Sequence, residues 1–74
     1  MSAPAAADVP VRVNGDARNV PAGTTITALV RLLGAPPEGV AVALNGEVIP
    51  RAEHGTRVIV EGDRIEVIRA VGGG

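Results

Sequence analysis

The chain has 74 residues, a formal net charge of -1, no aromatic residue and no cysteine. This length allows one domain, which buries only about 60% of the surface that its unfolded chain exposes, so small aliphatic side chains must supply the core. The chain has neither aromatic side chains on which bases could stack nor an excess of basic residues, which argues against nucleic-acid binding. The missing cysteines exclude disulfides, thiolate metal sites and a cysteine nucleophile.

The chain has neither a signal peptide pattern nor a run approaching the ~20 apolar residues of a membrane span. We therefore expect a cytoplasmic protein without a membrane partner. Residues 1–8 are small, interrupted by proline and without periodicity, which predicts a disordered lead-in.

The first predicted element is a β-hairpin. Valines alternate with polar residues or proline from Val9 to Val13, which is the period of a half-buried strand. Asn14-Gly15 is a strong signal for a two-residue turn. Residues 17–20 would form the returning strand.

A helix is predicted next. Thr24 and Thr25 are both suitable N-caps, and Gly34 suits the left-handed position after the helix, before Pro36-Pro37. The apolar side chains between them repeat at the spacing of one helical face, namely Ile26, Leu29, Val30 and Leu33.

The second half of the chain predicts strands again. Residues 40–44 are continuously apolar, which fits a strand covered on both faces or one that exposes a patch. Asn45-Gly46 predicts another turn and residues 47–49 a short strand, which Pro50 confines to a sheet edge or ends. Residues 51–57 are polar and loop-like, and residues 58–60 fit a brief strand or a helical turn equally well.

The last predicted strand covers residues 64–68, with Ile65 and Val67 facing the core beneath the helix. A single helix can cover one face of one sheet. The sequence therefore predicts a two-layer α+β domain over residues 9–71.

The residues needed for catalysis are scarce. His54 is the only histidine, and Ser2, in the lead-in, is the only serine. A nucleophile, a base and an orienting group cannot be assembled from them, and no metal-ligand cluster is present. We expect His54 to be exposed in a loop, and the acids Glu61, Asp63 and Glu66 to lie along a solvated strand edge.

The chain ends in Gly72-Gly73-Gly74, directly after the last strand. Glycines have no side chain to pack and lose the most entropy on ordering, so we expect a flexible tail. A terminal glycine also presents an unhindered carboxylate that a narrow active site can admit. The alternative is a frayed end without function.

The ordered motifs of the chain resemble those of the β-grasp sulfur carriers of the ubiquitin-like superfamily, and most closely the ThiS carriers of thiamine biosynthesis. They cover residues 9–74 and comprise Val13-Asn14-Gly15, Pro21-Ala22-Gly23-Thr24-Thr25, Ala43-Leu44-Asn45-Gly46-Glu47-Val48-Ile49-Pro50-Arg51, Gly62-Asp63-Arg64-Ile65-Glu66-Val67 and Gly73-Gly74. The resemblance implies a mixed sheet of four to five strands with one helix across one face. Residues 1–8 and the third glycine, Gly72, depart from the usual pattern.

The resemblance also implies a function without catalysis or bound cofactor. The Gly74 carboxylate would be adenylated with ATP by a ThiF-like adenylyltransferase, with Gly72 and Gly73 threading into its active site. Sulfur from a donor such as a cysteine desulfurase would then give a thiocarboxylate for a ThiG-like thiazole synthase. Alternatives are a MoaD-like small subunit of molybdopterin synthase, another β-grasp sulfur carrier, a ubiquitin-like protein modifier or a plain binding module.

Docking to such partners would use an apolar patch on the sheet face opposite the helix. By the alternation of side chains along a strand, Ile68 points away from Ile65 and Val67. It is therefore the first candidate for the patch, with Val42 or Leu44 beside it. A shifted pattern that places Ile68 in the core is the alternative. Arg69 and Arg51 could pair with acids of the activating enzyme, although exposed arginines usually contribute little.

Overall fold

A computed structural model describes residues 8–36 and 39–69 of the chain. Its elements are β1 (Asp8–Val13), β2 (Asp16–Pro21), α1 (Ile26–Leu32), β3 (Val40–Leu44), β4 (Glu47–Val48), a 3₁₀ helix (Arg51–Glu53) and β5 (Arg64–Arg69). The predicted order of hairpin, helix, strand, short strand and strand is confirmed. Asp8 already belongs to β1, one residue earlier than expected. The predicted lead-in over residues 1–7, Pro37 and the glycine tail lie outside the described residues.

The five strands form one mixed sheet in the order β2-β1-β5-β3-β4. β1 and β5 pair in parallel through Val13 and Ile65, and the other neighbouring strands are antiparallel. β5 therefore occupies the centre of the sheet although it comes last in sequence. The short strand β4 lies at an edge and ends before Pro50, as the missing backbone donor predicts.

Both predicted Asn-Gly turns are present. Asn14 and Asn45 have φ angles of 52° and 53°, and the glycines that follow them have φ angles of 88° and 86°. Two successive residues with positive φ are what a type I′ hairpin turn requires, and asparagine followed by glycine tolerates this best. The turns therefore set the register of both hairpins.

The helix begins and ends as its sequence predicts. The Thr25 hydroxyl accepts a hydrogen bond from the Ala28 backbone N–H at 3.1 Å, which identifies Thr25 as the N-cap. At the other end Gly34 adopts a φ of 80°, and its N–H donates to the Arg31 carbonyl. The apolar face of the helix is buried against the sheet, with Ile26, Leu29 and Val30 almost inaccessible to solvent.

The segment between β4 and β5 covers the start of the helix. The carbonyls of Arg57 and His54 accept hydrogen bonds from the backbone N–H groups of Ile26 and Thr27, which have no partner within the helix. Residues 58–60 form no regular element. Val58 makes one bridge to Thr25, and the next side chain, Ile59, is buried in the core.

Candidate functional site

The candidate site is the sheet around the end of β5, the strand that leads in sequence to the three glycines. β3 pairs with β5 along its whole length, from Val40 opposite Arg69 to Leu44 opposite Ile65. Directly opposed residues of an antiparallel pair lie on the same face of the sheet. The register therefore assigns every side chain of β5 to the helix face or to the open face.

Ile68 lies on the open face. Its partner is Ala41, which is exposed, and 60% of the Ile68 surface is accessible to solvent. Its sequence neighbour Val67 pairs with Val42 and packs against the core. Of the two placements that the sequence left open for Ile68, the structure shows the exposed one.

The expectation that Val42 or Leu44 lies beside Ile68 is wrong. Val42 is only 1% exposed and Leu44 5% exposed, and both belong to the core under the helix. Within β3, the residues on the open face are instead Ala41, which is exposed, and Ala43, which is 8% exposed. A continuously apolar run contains no alternation, so the sequence could not indicate which of its residues face the helix.

Val48 is a residue of the open face that the sequence analysis missed. It pairs with Ala43 across β3 and β4 and is 70% exposed, more than Ile68. Counting from the Asn45-Gly46 turn would have placed the two residues opposite each other. Together, Ala41, Val48 and Ile68 form an exposed apolar strip on the open face, with Ala43, which is only 8% exposed, between them.

The two arginines named as docking candidates lie away from this strip. Arg69 is exposed and opposes Val40, so it lies on the helix side at the end of the sheet. Arg51 is exposed at the start of the 3₁₀ helix. Within residues 8–36 and 39–69 neither is ion-paired, because the one salt bridge joins Arg57 to Glu53 at 3.5 Å.

His54 is not the exposed loop residue that the sequence predicts. It is buried, and its Nε2 lies 2.9 Å from the carbonyl oxygen of Ile49. Its own carbonyl accepts a hydrogen bond from Thr27 of the helix. These contacts give His54 a structural role in holding the segment after β4 against the helix.

Asp63 is also buried, contrary to the expectation of a solvated acidic edge. Its carboxylate accepts hydrogen bonds from the Asn45 side-chain amide at 3.0 Å and from the Val60 N–H at 2.9 Å. Glu61 and Glu66 are exposed as expected. Among the described residues, no group of three or more His, Cys, Asp and Glu side chains could hold a metal ion.

A shallow hollow of about 320 Å³ lies at the other end of β5. It is lined in part by Arg12, Glu61 and Arg64. Arg64 begins β5 and Arg69 ends it, so the hollow is separated from the end of the strand by roughly 17 Å at the rise of an extended strand.

The arrangement of a five-stranded mixed sheet around one helix, with the first and last strands parallel at its centre, defines a β-grasp protein. Comparison with known proteins narrows this class. The model of the ThiS family matches residues 11–74. The chain therefore belongs to the ThiS family.

Individual relatives agree with this assignment. Sulfur carrier protein ThiS of Escherichia coli is 30% identical over 61 residues, which cover 82% of this chain and 92% of that protein. The crystal structure of thiamine biosynthesis protein ThiS from Geobacter metallireducens matches with a TM-score of 0.76 and 33% identity, covering 89% of this chain and 100% of the other.

Two thiazole synthases are also similar to this chain. The protein of Magnetococcus marinus is 44% identical over 64 residues, and that of Paramagnetospirillum magneticum is 36% identical over 62 residues. These matches cover 86% and 84% of this chain but only 20% and 19% of the synthases. The chain thus spans about a fifth of the length of these relatives. Within the part of the chain that is described, no helix is long and apolar enough to cross a membrane.

Proposed function

We propose that this chain is a sulfur carrier for thiamine biosynthesis and acts as a protein co-substrate of its partner enzymes. The observation that carries the proposal is the ThiS family match, which extends through Gly74 and so includes the glycines after the central strand. The similarity to the E. coli sulfur carrier supports the same function.

The proposed chemistry takes place on the Gly74 carboxylate. This group attacks the α-phosphate of ATP in a ThiF-like adenylyltransferase, giving an acyl-adenylate and releasing pyrophosphate. The terminal sulfur of a donor persulfide, such as that of a cysteine desulfurase, then attacks the acyl carbon and displaces AMP. A thiol reduces the resulting acyl disulfide, and a thiocarboxylate remains on Gly74. Activation is required because a free carboxylate is a poor electrophile.

A thiazole synthase of the ThiG type is the proposed acceptor of this sulfur. Two proteins named thiazole synthase contain a segment similar to the present chain. A carrier and an acceptor that must meet repeatedly gain from being joined, because a linked partner is present at a high effective concentration. This similarity supports the thiamine branch over the molybdopterin branch.

The apolar strip is the proposed docking surface for the adenylyltransferase. Residues 70–74, which connect β5 to the terminal carboxylate, span at most roughly 18 Å when extended, so the end of β5 must come close to the mouth of the active site. Ile68 lies four residues before Gly72 and presents an exposed apolar side chain on the open face. Arg69 and Arg51 lie away from the strip, so ion pairs that they form with the activating enzyme would be exposed and would add little affinity.

The test combines mass analysis with reconstitution. Intact mass and C-terminal peptide mass of the protein from its native host are expected to show a chain that ends at Gly74 with one oxygen replaced by sulfur. In vitro, the ThiF-like enzyme of the same host is expected to release pyrophosphate from ATP only when the carrier is present. Removal of Gly74 should abolish this release without lowering the melting temperature.

Two results would contradict the proposal. The first is a carrier that the adenylyltransferase does not activate and that is never thiocarboxylated, which would indicate a binding module. The second is sulfur transfer that persists after Gly74 is removed. An amide link between Gly74 and another protein would instead indicate a protein modifier.

A further inference from the structure

Near the end of β5, the side of the strand that faces β1 is hydrogen-bonded by a side chain and not by backbone. β1 pairs with β5 only through Arg12 with Arg64 and Val13 with Ile65, and the chain then turns away at Asn14. At this point the Asn14 backbone N–H donates to the Ile65 carbonyl, and its side-chain Oδ1 accepts from the Val67 N–H at 2.9 Å. The Asn14 amide thus continues the parallel ladder by one step beyond the last paired residue.

The second Asn-Gly turn contacts β5 from the opposite side. The Oδ1 of Asn45 accepts a hydrogen bond from the Arg64 N–H, also at 2.9 Å. Both asparagines have the same positive φ and both bind one backbone N–H of β5. The two asparagines bind different parts of β5. The partner of Asn45, Arg64, begins the strand, whereas the partner of Asn14, Val67, lies two residues before its end.

We infer that Asn14 is a positioning residue for activation of the Gly74 carboxylate. The inference rests on the proposed function. Val67 directly precedes the docking residue Ile68 and packs against the core, so holding the β1 side of β5 at Val67 keeps Ile68 and the last residue of the strand, Arg69, in one geometry. Without the Asn14 oxygen, the β1 side of this strand end would exchange its protein hydrogen bond for water.

The size of the effect is set by one exposed hydrogen bond. Such a bond shifts the local equilibrium between held and released strand by roughly two- to tenfold. Docking through the apolar strip does not require the bond, so the KM for the carrier should change little. The fraction of docked carriers in which the end of β5 is held in place should fall, which lowers kcat.

The test uses the full chain with three substitutions. Asn14→Gly removes the side-chain oxygen but keeps a residue for which positive φ carries no steric cost. Asn14→Asp keeps an acceptor oxygen and tolerates the left-handed conformation. Asn45→Gly is the matched control, because it removes the equivalent oxygen at the start of β5 together with the bond to Asp63.

Two measurements are compared for each variant. Amide hydrogen exchange of the Val67 N–H reports the restraint without any partner, and kcat and KM for pyrophosphate release report activation by the ThiF-like enzyme. Asn14→Gly is expected to speed Val67 exchange and to lower kcat, with the product of the two fold-changes at about two- to tenfold and with KM within about twofold of the unchanged protein. Asn14→Asp should restore both values, and Asn45→Gly should leave kcat unchanged even though it lowers the melting temperature more.

The inference is overturned if Asn14→Gly leaves Val67 exchange or kcat unchanged, or if Asn45→Gly lowers kcat as much. It is also overturned if Asn14→Asp fails to restore kcat. A failure of the proposed function has a different signature, because the unchanged protein would then not be adenylated at all.

Discussion

Ala41 and Ile68 are direct partners in the antiparallel pairing of β3 with β5, on the sheet face that the helix leaves open. One residue later in β3 and one residue earlier in β5, Val42 and Val67 are partners on the helix face. This register places Ile68 in solvent and Val42 in the core. It therefore decides which apolar residues near the end of β5 are available for a partner.

Replacing Ile68 should impair activation without unfolding the protein. Full burial of an isoleucine side chain contributes about 1.5–3 kcal/mol, and 60% of the Ile68 surface is still exposed, so Ile68→Gln is expected to lower kcat/KM for adenylation about five- to twentyfold. The change in unfolding free energy should stay within about 0.5 kcal/mol, because Ile68 is a surface residue. Leu32→Gln is the control, since Leu32 is similarly exposed but lies on the helix. Equal losses of kcat/KM in both variants would contradict docking through the open face.

Shortening the buried Val42 side chain should lower the stability of the protein, in contrast to changes at Ile68. Val42→Ala leaves a cavity in the core and is expected to lower the unfolding free energy by roughly 1–3 kcal/mol, measured by urea denaturation. Ile68→Ala should change it by no more than about 0.5 kcal/mol. Similar losses for the two variants would show that Ile68 packs in the core, contrary to the register.

His54 should matter for stability and not for chemistry. His54→Ala removes the hydrogen bond to the Ile49 carbonyl and leaves that buried acceptor without its partner, which costs roughly 1–3 kcal/mol. Glu53→Ala, which breaks the exposed pair with Arg57, is the adjacent control and should cost less than about 1 kcal/mol. The rate of adenylation below the melting temperature is expected to be unchanged for both. A specific fall in kcat for His54→Ala would assign the histidine a catalytic role instead.

Asp63 provides the same contrast among the acids. Asp63→Ala leaves two hydrogen-bond donors, the Asn45 amide and the Val60 N–H, without their acceptor. It is therefore expected to lower the unfolding free energy by roughly 1–3 kcal/mol. Glu61→Ala, two residues earlier and exposed, should change it by about 0.5 kcal/mol or less. Urea denaturation of both variants tests this difference, and a neutral Asp63→Ala would mean that water replaces the carboxylate without cost.

Local features of the sequence were sufficient for most of the secondary structure. The Asn14-Gly15 and Asn45-Gly46 pairs predicted both hairpin turns, because few other residue pairs tolerate two positive φ angles in succession. The helix was predicted with its glycine stop and two candidate N-caps, Thr24 and Thr25, of which the structure shows Thr25. Alternation in β5 also placed Ile65 and Val67 toward the core, since the faces of a strand repeat every two residues.

Burial of the polar residues was decided by tertiary structure. The sequence predicts that His54 and Asp63 are exposed, because polar side chains usually are. In the structure each is buried and forms hydrogen bonds that compensate for its burial. Asp63 bonds to Asn45, which lies 18 residues away in sequence. No local pattern records such a contact.

The sequence by itself determined the strands, the α-helix, their order, the turns and the glycine segment that follows the last strand, whereas the 3₁₀ helix at Arg51–Glu53 lies in a stretch predicted as a loop. The tertiary structure alone decided that β5 lies at the centre of the sheet, that Val42 and Leu44 face the helix, and that Val48 joins Ile68 on the open face. The physical reason is that turns and helix ends depend on the backbone preferences of neighbouring residues. Which face of an apolar strand is buried depends on its pairing register with strands that are distant in sequence.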